Sequence, residues 1–250
     1  MVKGLDTFRE AFAGCVDQYV LIGGVAASLT LEEAGITFRA TRDLDIVLII
    51  EALDHEFGTE FWAFVRRGGY TERQALDGPT RRYRFGNPTD DSYPVLLELF
   101  SRAPEGLVLP EGAHLTPVPV DGEISDLSAI LLDEAYYAFI VSGRSDTEDL
   151  SYIGVDRLIP LKAQAWTNLS HPDCVEPNAD RKSNKHLKDI IILSGLLSAD
   201  ADFELPASIA DDLRQFLNVM PSLNVDMKAL GLRGLTLLEV EERIRIAFKV

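Results

Sequence analysis

Cysteine is nearly absent: the chain has only Cys15 and Cys174, far apart in sequence and at no metal-ligand spacing. That excludes a disulfide framework and predicts a protein kept in a reducing, cytoplasmic setting. Long apolar runs are missing too. The stretch over residues 19–31 stops at Glu32 and Glu33, short of the roughly 20 residues a bilayer-spanning helix needs. The first residues carry Asp6, Arg9, Glu10 and Asp17 ahead of any apolar run, which is a poor secretion signal. No membrane partner is therefore expected. Positive charge is scarce, with 24 Lys and Arg against 40 Asp and Glu, a formal net charge of −16. A body that acidic repels phosphate backbones and excludes extended, non-specific DNA or RNA binding, leaving room only for a local basic site. Repeats and low-complexity tracts are absent. Gly and Pro, at 18 and 12 residues, are too few for a collagen-like or disordered chain.

What is present fits a globular protein of 250 residues, 46% hydrophobic and 26% charged, long enough to bury its own core as one large domain or two small ones. Leu5, Phe8, Phe12 and Val16 repeat at helical spacing, with Asp6 as a start signal. Residues 19–22 read as a short buried strand ending at Gly23-Gly24, with a helix to follow over residues 25–33. Residues 43–50, β-branched and apolar after two aspartates, predict a central strand. Phe57, Phe61, Phe64 and Val65 predict a helix closed by Gly68-Gly69. Residues 81–85 read as a strand with a basic face, residues 95–100 as a second central strand, and residues 116–120, broken by prolines, as an edge. The pattern changes near Gly122. From there helices are expected over residues 127–141, 159–169, 185–197, 207–219 and 235–248. The expected fold is α+β: a mixed sheet with flanking helices in a domain over residues 1–124, then a mostly helical domain over residues 125–250.

The residues able to do chemistry cluster in the first half. In Arg39-Ala40-Thr41-Arg42-Asp43-Leu44-Asp45-Ile46, strand alternation puts Asp43 and Asp45 on one face and Leu44 and Ile46 on the other. Two like carboxylates side by side repel, and a divalent cation relieves the conflict; a strand end facing water is the plain alternative. Gly23-Gly24 sits between a strand and a helix, where the backbone can approach a phosphate and helix amides favour an anion; a tight turn is the plain alternative. Glu98 is the one charge in an otherwise core-like strand, so it needs a partner, either a metal or one of Arg81, Arg82 and Arg84.

Taken in order, Gly23-Gly24, Arg39-x-Thr41-x-Asp43-x-Asp45 and a later strand acid resemble the DNA polymerase β-like nucleotidyltransferase superfamily. More narrowly they resemble its AbiEii-type members, which include toxins of abortive-infection and toxin–antitoxin systems. The segments around Lys162 (Leu158 to Trp166) and Lys185-His186-Leu187-Lys188-Asp189 resemble the lysine and K-D-x-x-D motifs of that family. Gly24 departs from the Ser found in many relatives. The resemblance implies transfer of an NMP unit from an NTP to an acceptor hydroxyl, with Mg²⁺ or Mn²⁺ as cofactor. It implies that Asp43, Asp45 and Glu98 bind metal, that Gly23, Gly24 and Arg39 receive the triphosphate, and that Lys162 supplies positive charge. Lys185 and Asp189 would orient Lys162 or touch the nucleotide. The acceptor would be an RNA end, a protein or a small molecule of the antibiotic type, and an antitoxin protein is an implied partner. A non-catalytic nucleotide- or partner-binding relative is the remaining alternative.

Read without the family pattern, Lys162 is an amphipathic-helix surface lysine, and Lys185 with Asp189 is an ordinary i, i+4 pair. Trp166 is core of the helical half. His55, His114 and His171 have no partners at metal spacing. No nucleophile-elbow motif supports a serine hydrolase.

Overall fold

The computed structural model describes residues 2–72, 83–105, 107, 115–118, 128–147 and 149–250. Arg81, Arg82 and His114 lie outside them, as does most of the expected edge beyond residue 118. The chain divides into two compact units, residues 1–32 with 36–153 and residues 33–35 with 154–250.

The first unit is built on a mixed sheet. In chain order its strands are β1 (Tyr19–Ile22), β2 (Asp43–Leu48), β3 (Thr71–Glu72), β4 (Arg84–Gly86), β5 (Leu96–Ser101), β6 (Leu115–Pro117), β7 (Ser128–Leu131), β8 (Arg144–Asp146) and β9 (Ser151–Ile153). The spatial order is β3-β4-β5-β2-β1-β9-β8. β2 lies antiparallel to β1 and parallel to β5. The other side of β5 is shared: β4 pairs antiparallel with Leu96 to Glu98, and β7 pairs parallel with Phe100 and Ser101. The apolar, β-branched run of β2 explains its central place, since it is buried from Ile46 onward.

Helices α1 (Leu5–Phe12) and α3 (His55–Gly68) supply an aromatic layer. Phe8, Phe12, Phe57, Phe61 and Phe64 are fully buried, and Tyr19 and Phe85 join them from the sheet through ring contacts with Phe8 and Phe61 at 5.3 and 5.4 Å. Phe85, Leu97 and Leu44 sit side by side in register. The apolar alternates of three adjacent strands therefore face the helices, which leaves the opposite alternates for polar residues. α3 begins with Asp54 accepting a hydrogen bond from Phe57 N, and it ends as its sequence predicts, with Gly69 closing the helix at φ 62°. Helix α2 (Gly23–Glu33) follows β1 directly, and α4 (Glu134–Ser142) follows β7.

A network joins the end of β2 to its surroundings. Glu51 accepts hydrogen bonds from the Tyr137 hydroxyl at 2.6 Å and from Arg102 at 2.6 and 2.9 Å, while Ile50 N donates to Tyr137 Oη at 3.1 Å.

The second unit is helical: α5 (Val155–Ser170), α6 (Ala179–Leu193), α7 (Ala207–Val219) and α8 (Leu237–Phe248). Trp166 stacks edge-on against Phe216 at 5.3 Å, a core role for one face of its ring. A capping box at Thr236 and Glu239 starts α8.

The α+β architecture with a helical second half is as expected. Two details differ. Residues 127–141 were expected to be one helix, but Ser128–Leu131 form β7, paired with β5 and β6, and Asp133 caps α4 only afterwards. The division between units falls at 153/154 rather than 124/125. The reason is that β7, β8 and β9 all return to the sheet, β9 pairing parallel with β1. Among the described residues no helix is long and apolar enough to cross a membrane.

Candidate active site

The carboxylates come together through strand register. Asp45 is the Cα partner of Glu98, and Asp43 of Leu96, in the parallel β2–β5 pair. The flanking Leu44, Ile46, Leu97 and Leu99 are buried on the other face, so Asp43, Asp45 and Glu98 share one face of two adjacent strands. All three are half-buried.

Gly23 closes the site from the β1 side. Ile22 pairs with Asp45, and Gly23 turns the chain at φ +65° into α2. A Cβ at Gly23 would overlap the Asp45 carboxylate and lie 2.9 Å from its Cγ. Glycine is required here twice over, by the left-handed backbone and by the close approach. Gly24 abuts the next segment: a Cβ there would meet Thr41 Oγ1 and Cγ2 at 3.1 Å and Arg39 Nη2 at 3.6 Å. The Gly-Gly turn, Arg39, Thr41 and the two aspartates are thus in one place. Residues 41 and 42 are pinned by Lys3 N donating to Thr41 O at 3.0 Å and Val95 N donating to Arg42 O at 2.8 Å. Thr41 is buried, and its hydroxyl has no hydrogen-bond partner among the described residues. The sequence pattern includes Thr41 but assigns its side chain no role; its place against Gly24 was not legible from spacing.

Glu98 has the cationic neighbour that its lone charge demanded. Arg84 is its register partner on β4, with Arg84 Nε 3.1 Å from Glu98 Oε1. Of the three arginines considered, Arg84 makes this pair; Arg81 and Arg82 are outside the described residues. No group of three His, Cys, Asp or Glu side chains among the described residues forms a ready metal cage. What the face offers a cation is the aspartate pair, hard oxygen donors suited to Mg²⁺ or Mn²⁺ that keep other positions for water and phosphate oxygens.

In the helical unit Lys162 on α5 and Asp189 on α6 form an ion pair, Nζ to Oδ2 at 2.9 Å, with side-chain exposures of 4% and 1%. The reading of Lys162 as a surface lysine is therefore corrected, because Asp189 compensates its charge in the interior. Lys185, by contrast, is exposed on α6, whereas Asp189 Oδ2 accepts from Lys162 Nζ across the helix pair.

No family model and no curated protein matches the chain. Among solved structures it is similar to the antibiotic-resistance factor ANT(2'')-Ia, determined in solution: 13% identity over 88% of this chain and 90% of that one, with a TM-score of 0.41.

Proposed function

We propose that the protein is a metal-dependent nucleotidyltransferase that moves an NMP unit from an NTP to an acceptor hydroxyl. The observation that carries this reading is the single face shared by Asp43, Asp45 and Glu98, with Gly23 closed against Asp45. Three carboxylates concentrated on one half-buried face have little use in a protein that only binds.

Asp43 and Asp45 would hold Mg²⁺ or Mn²⁺. When bound, the cation neutralises phosphate charge and stabilises the attacking and leaving oxygens. Glu98 adds a third carboxylate and takes the acceptor's proton. Gly23, Gly24 and the amides opening α2 receive the β- and γ-phosphates, with Arg39 beside Gly24 as a cationic partner. The parts implied for Lys162, Lys185 and Asp189 belong to the same proposal and are separable from a structural role by paired substitution.

In its finer form the proposal follows the AbiEii motif order: a toxin acting on RNA or protein, with an antitoxin as protein partner. A second reading has its own support. The net charge of −16 favours a neutral or cationic acceptor, such as a small polyol or antibiotic, over a polyanion.

The test is transfer from each labelled NTP with Mg²⁺ or Mn²⁺ to RNA, to protein and to small polyol acceptors. Wild type transfers label, and the Asp43→Asn/Asp45→Asn double variant does not, while its melting temperature is retained. Full activity in a folded double variant refutes the site.

A further inference from the structure

The row of charges on the open sheet face does not stop at the carboxylates. Arg84, Glu98 and Asp45 are consecutive register partners across β4, β5 and β2. Adjacent strands lie about 4.8 Å apart, so a guanidinium stands on the same line as the two acids, one strand beyond. Its contact with Glu98 is close but poorly aligned. Nε is 3.1 Å from Oε1, yet Nε is buried without a hydrogen-bond partner among the described residues. The attraction is coulombic rather than the bidentate fork that makes arginine–carboxylate pairs strong. Both side chains keep contact with solvent, at 35% and 20% exposure. The pair is therefore one that a stronger competitor for Glu98 can open without stranding a charge in a dry interior.

We infer that Arg84 competes with the divalent cation for Glu98: the ion pair occupies the third carboxylate in the metal-free protein and opens when the cation arrives with its nucleotide, whose phosphates give the guanidinium a replacement anion. This rests on the nucleotidyl-transfer reading for the identity of the anion, but the competition itself is a property of Arg84, Glu98 and a cation. It makes Arg84 a positioning residue that discourages the cation from binding alone. It also accounts for three acids sharing a face without forming a ready cage.

The experiment is Mn²⁺ titration of the full chain, followed by electron paramagnetic resonance of the free ion. It compares wild type, Arg84→Ala, Arg84→Gln, Glu98→Gln and the Arg84→Ala/Glu98→Gln pair. Without nucleotide, Arg84→Ala and Arg84→Gln bind Mn²⁺ more tightly than wild type, by roughly 1.5- to fivefold for a partly exposed pair. In the Glu98→Gln background the Arg84 substitution gives no further tightening, because the contested group is gone. With a non-hydrolysable NTP present, the wild-type and Arg84→Ala affinities converge. Unchanged or weaker Mn²⁺ binding in both Arg84 variants overturns the inference. So does tightening that persists in the Glu98→Gln background, which marks mere through-space repulsion, or a gap that survives with nucleotide. The functional reading fails differently: wild type that binds no Mn²⁺, or binds it equally well after Asp43→Asn/Asp45→Asn, refutes the metal site itself.

Discussion

Lys162 and Asp189 offer the sharpest separation of structure from chemistry. Removing one partner, as in Lys162→Met, leaves the Asp189 carboxylate at 1% exposure without the ammonium 2.9 Å away. Breaking a buried pair in this way costs about 3–5 kcal/mol. For a chain of this size each kcal/mol moves the melting temperature by about 2–4 °C, so the expected fall is roughly 6–20 °C. Asp189→Leu should cost a similar amount by stranding the lysine. Lys162→Met with Asp189→Leu removes both charges and replaces them with apolar groups of comparable size, an exchange that is close to neutral in other buried pairs. The double variant should therefore recover most of the loss. The assay is chemical denaturation of all four proteins at pH 7, with transfer activity measured on the same samples. A stable double variant without transfer gives Lys162 the role that the sequence resemblance implies. A stable double variant with full transfer makes the pair structural. Single variants that each lose less than about 1 kcal/mol refute the reasoning, because the interior would then tolerate an unpaired charge.

Gly23→Ala should cut transfer at least tenfold, since its Cβ overlaps the Asp45 carboxylate. Gly35→Ala, at the comparable φ of +72° but facing open space, should show only the backbone cost of about 1 kcal/mol in denaturation, and equal effects from the two would refute the steric argument. Thr41→Val removes a buried hydroxyl with no partner among the described residues, so its melting temperature should hold or rise, by up to about 2 kcal/mol of stability; a clear fall would reveal a partner for the hydroxyl. Tyr137→Phe leaves Ile50 N without its acceptor and should cost about 1–3 kcal/mol at pH 7. Burial pushes the Glu51 carboxyl up, but hydrogen bonds from Tyr137 and Arg102 outweigh that and hold it below its ordinary value of 4.5. A depressed carboxyl contributes stability above the unfolded value and loses it as pH falls through the folded one, so the wild-type advantage should shrink in urea melts between pH 5 and 3. An advantage that grows on acidification would refute this.

The parts of the fold governed by local pattern were readable. β1 and α7 occur over the residues their patterns predict, and β2 and β5 begin within a residue of prediction. Gly23 stops β1, Pro206 precedes α7 and Pro94 stands just before β5, while β2 is marked by its own apolar, β-branched run. Residues 127–141 were not readable, because Leu127, Ile130, Leu131, Leu132 and Ala135 satisfy helical spacing. Pairing with β5 and β6 overrides that spacing for the first part of the segment. The unit boundary was hidden for a related reason. β8 and β9 are three residues each, too short to signal themselves, and they join the sheet beside a strand from the start of the chain.

The same division between local and non-local information runs through the candidate site. Alternation along β2 is enough to put Asp43 and Asp45 on one face. That Glu98 lies level with Asp45, and that Arg84 lies level with Glu98, depends on register between strands widely separated in sequence, and no spacing rule contains that. Burial is equally non-local: Lys162 looks amphipathic along its own helix and is interior only because Asp189, 27 residues later, comes to meet it. Charges read from sequence are therefore best treated as unpaired questions. Register answered the question for Glu98 with an arginine where the sequence left open an arginine or a metal, and whether that arginine yields to a cation decides how the site is used.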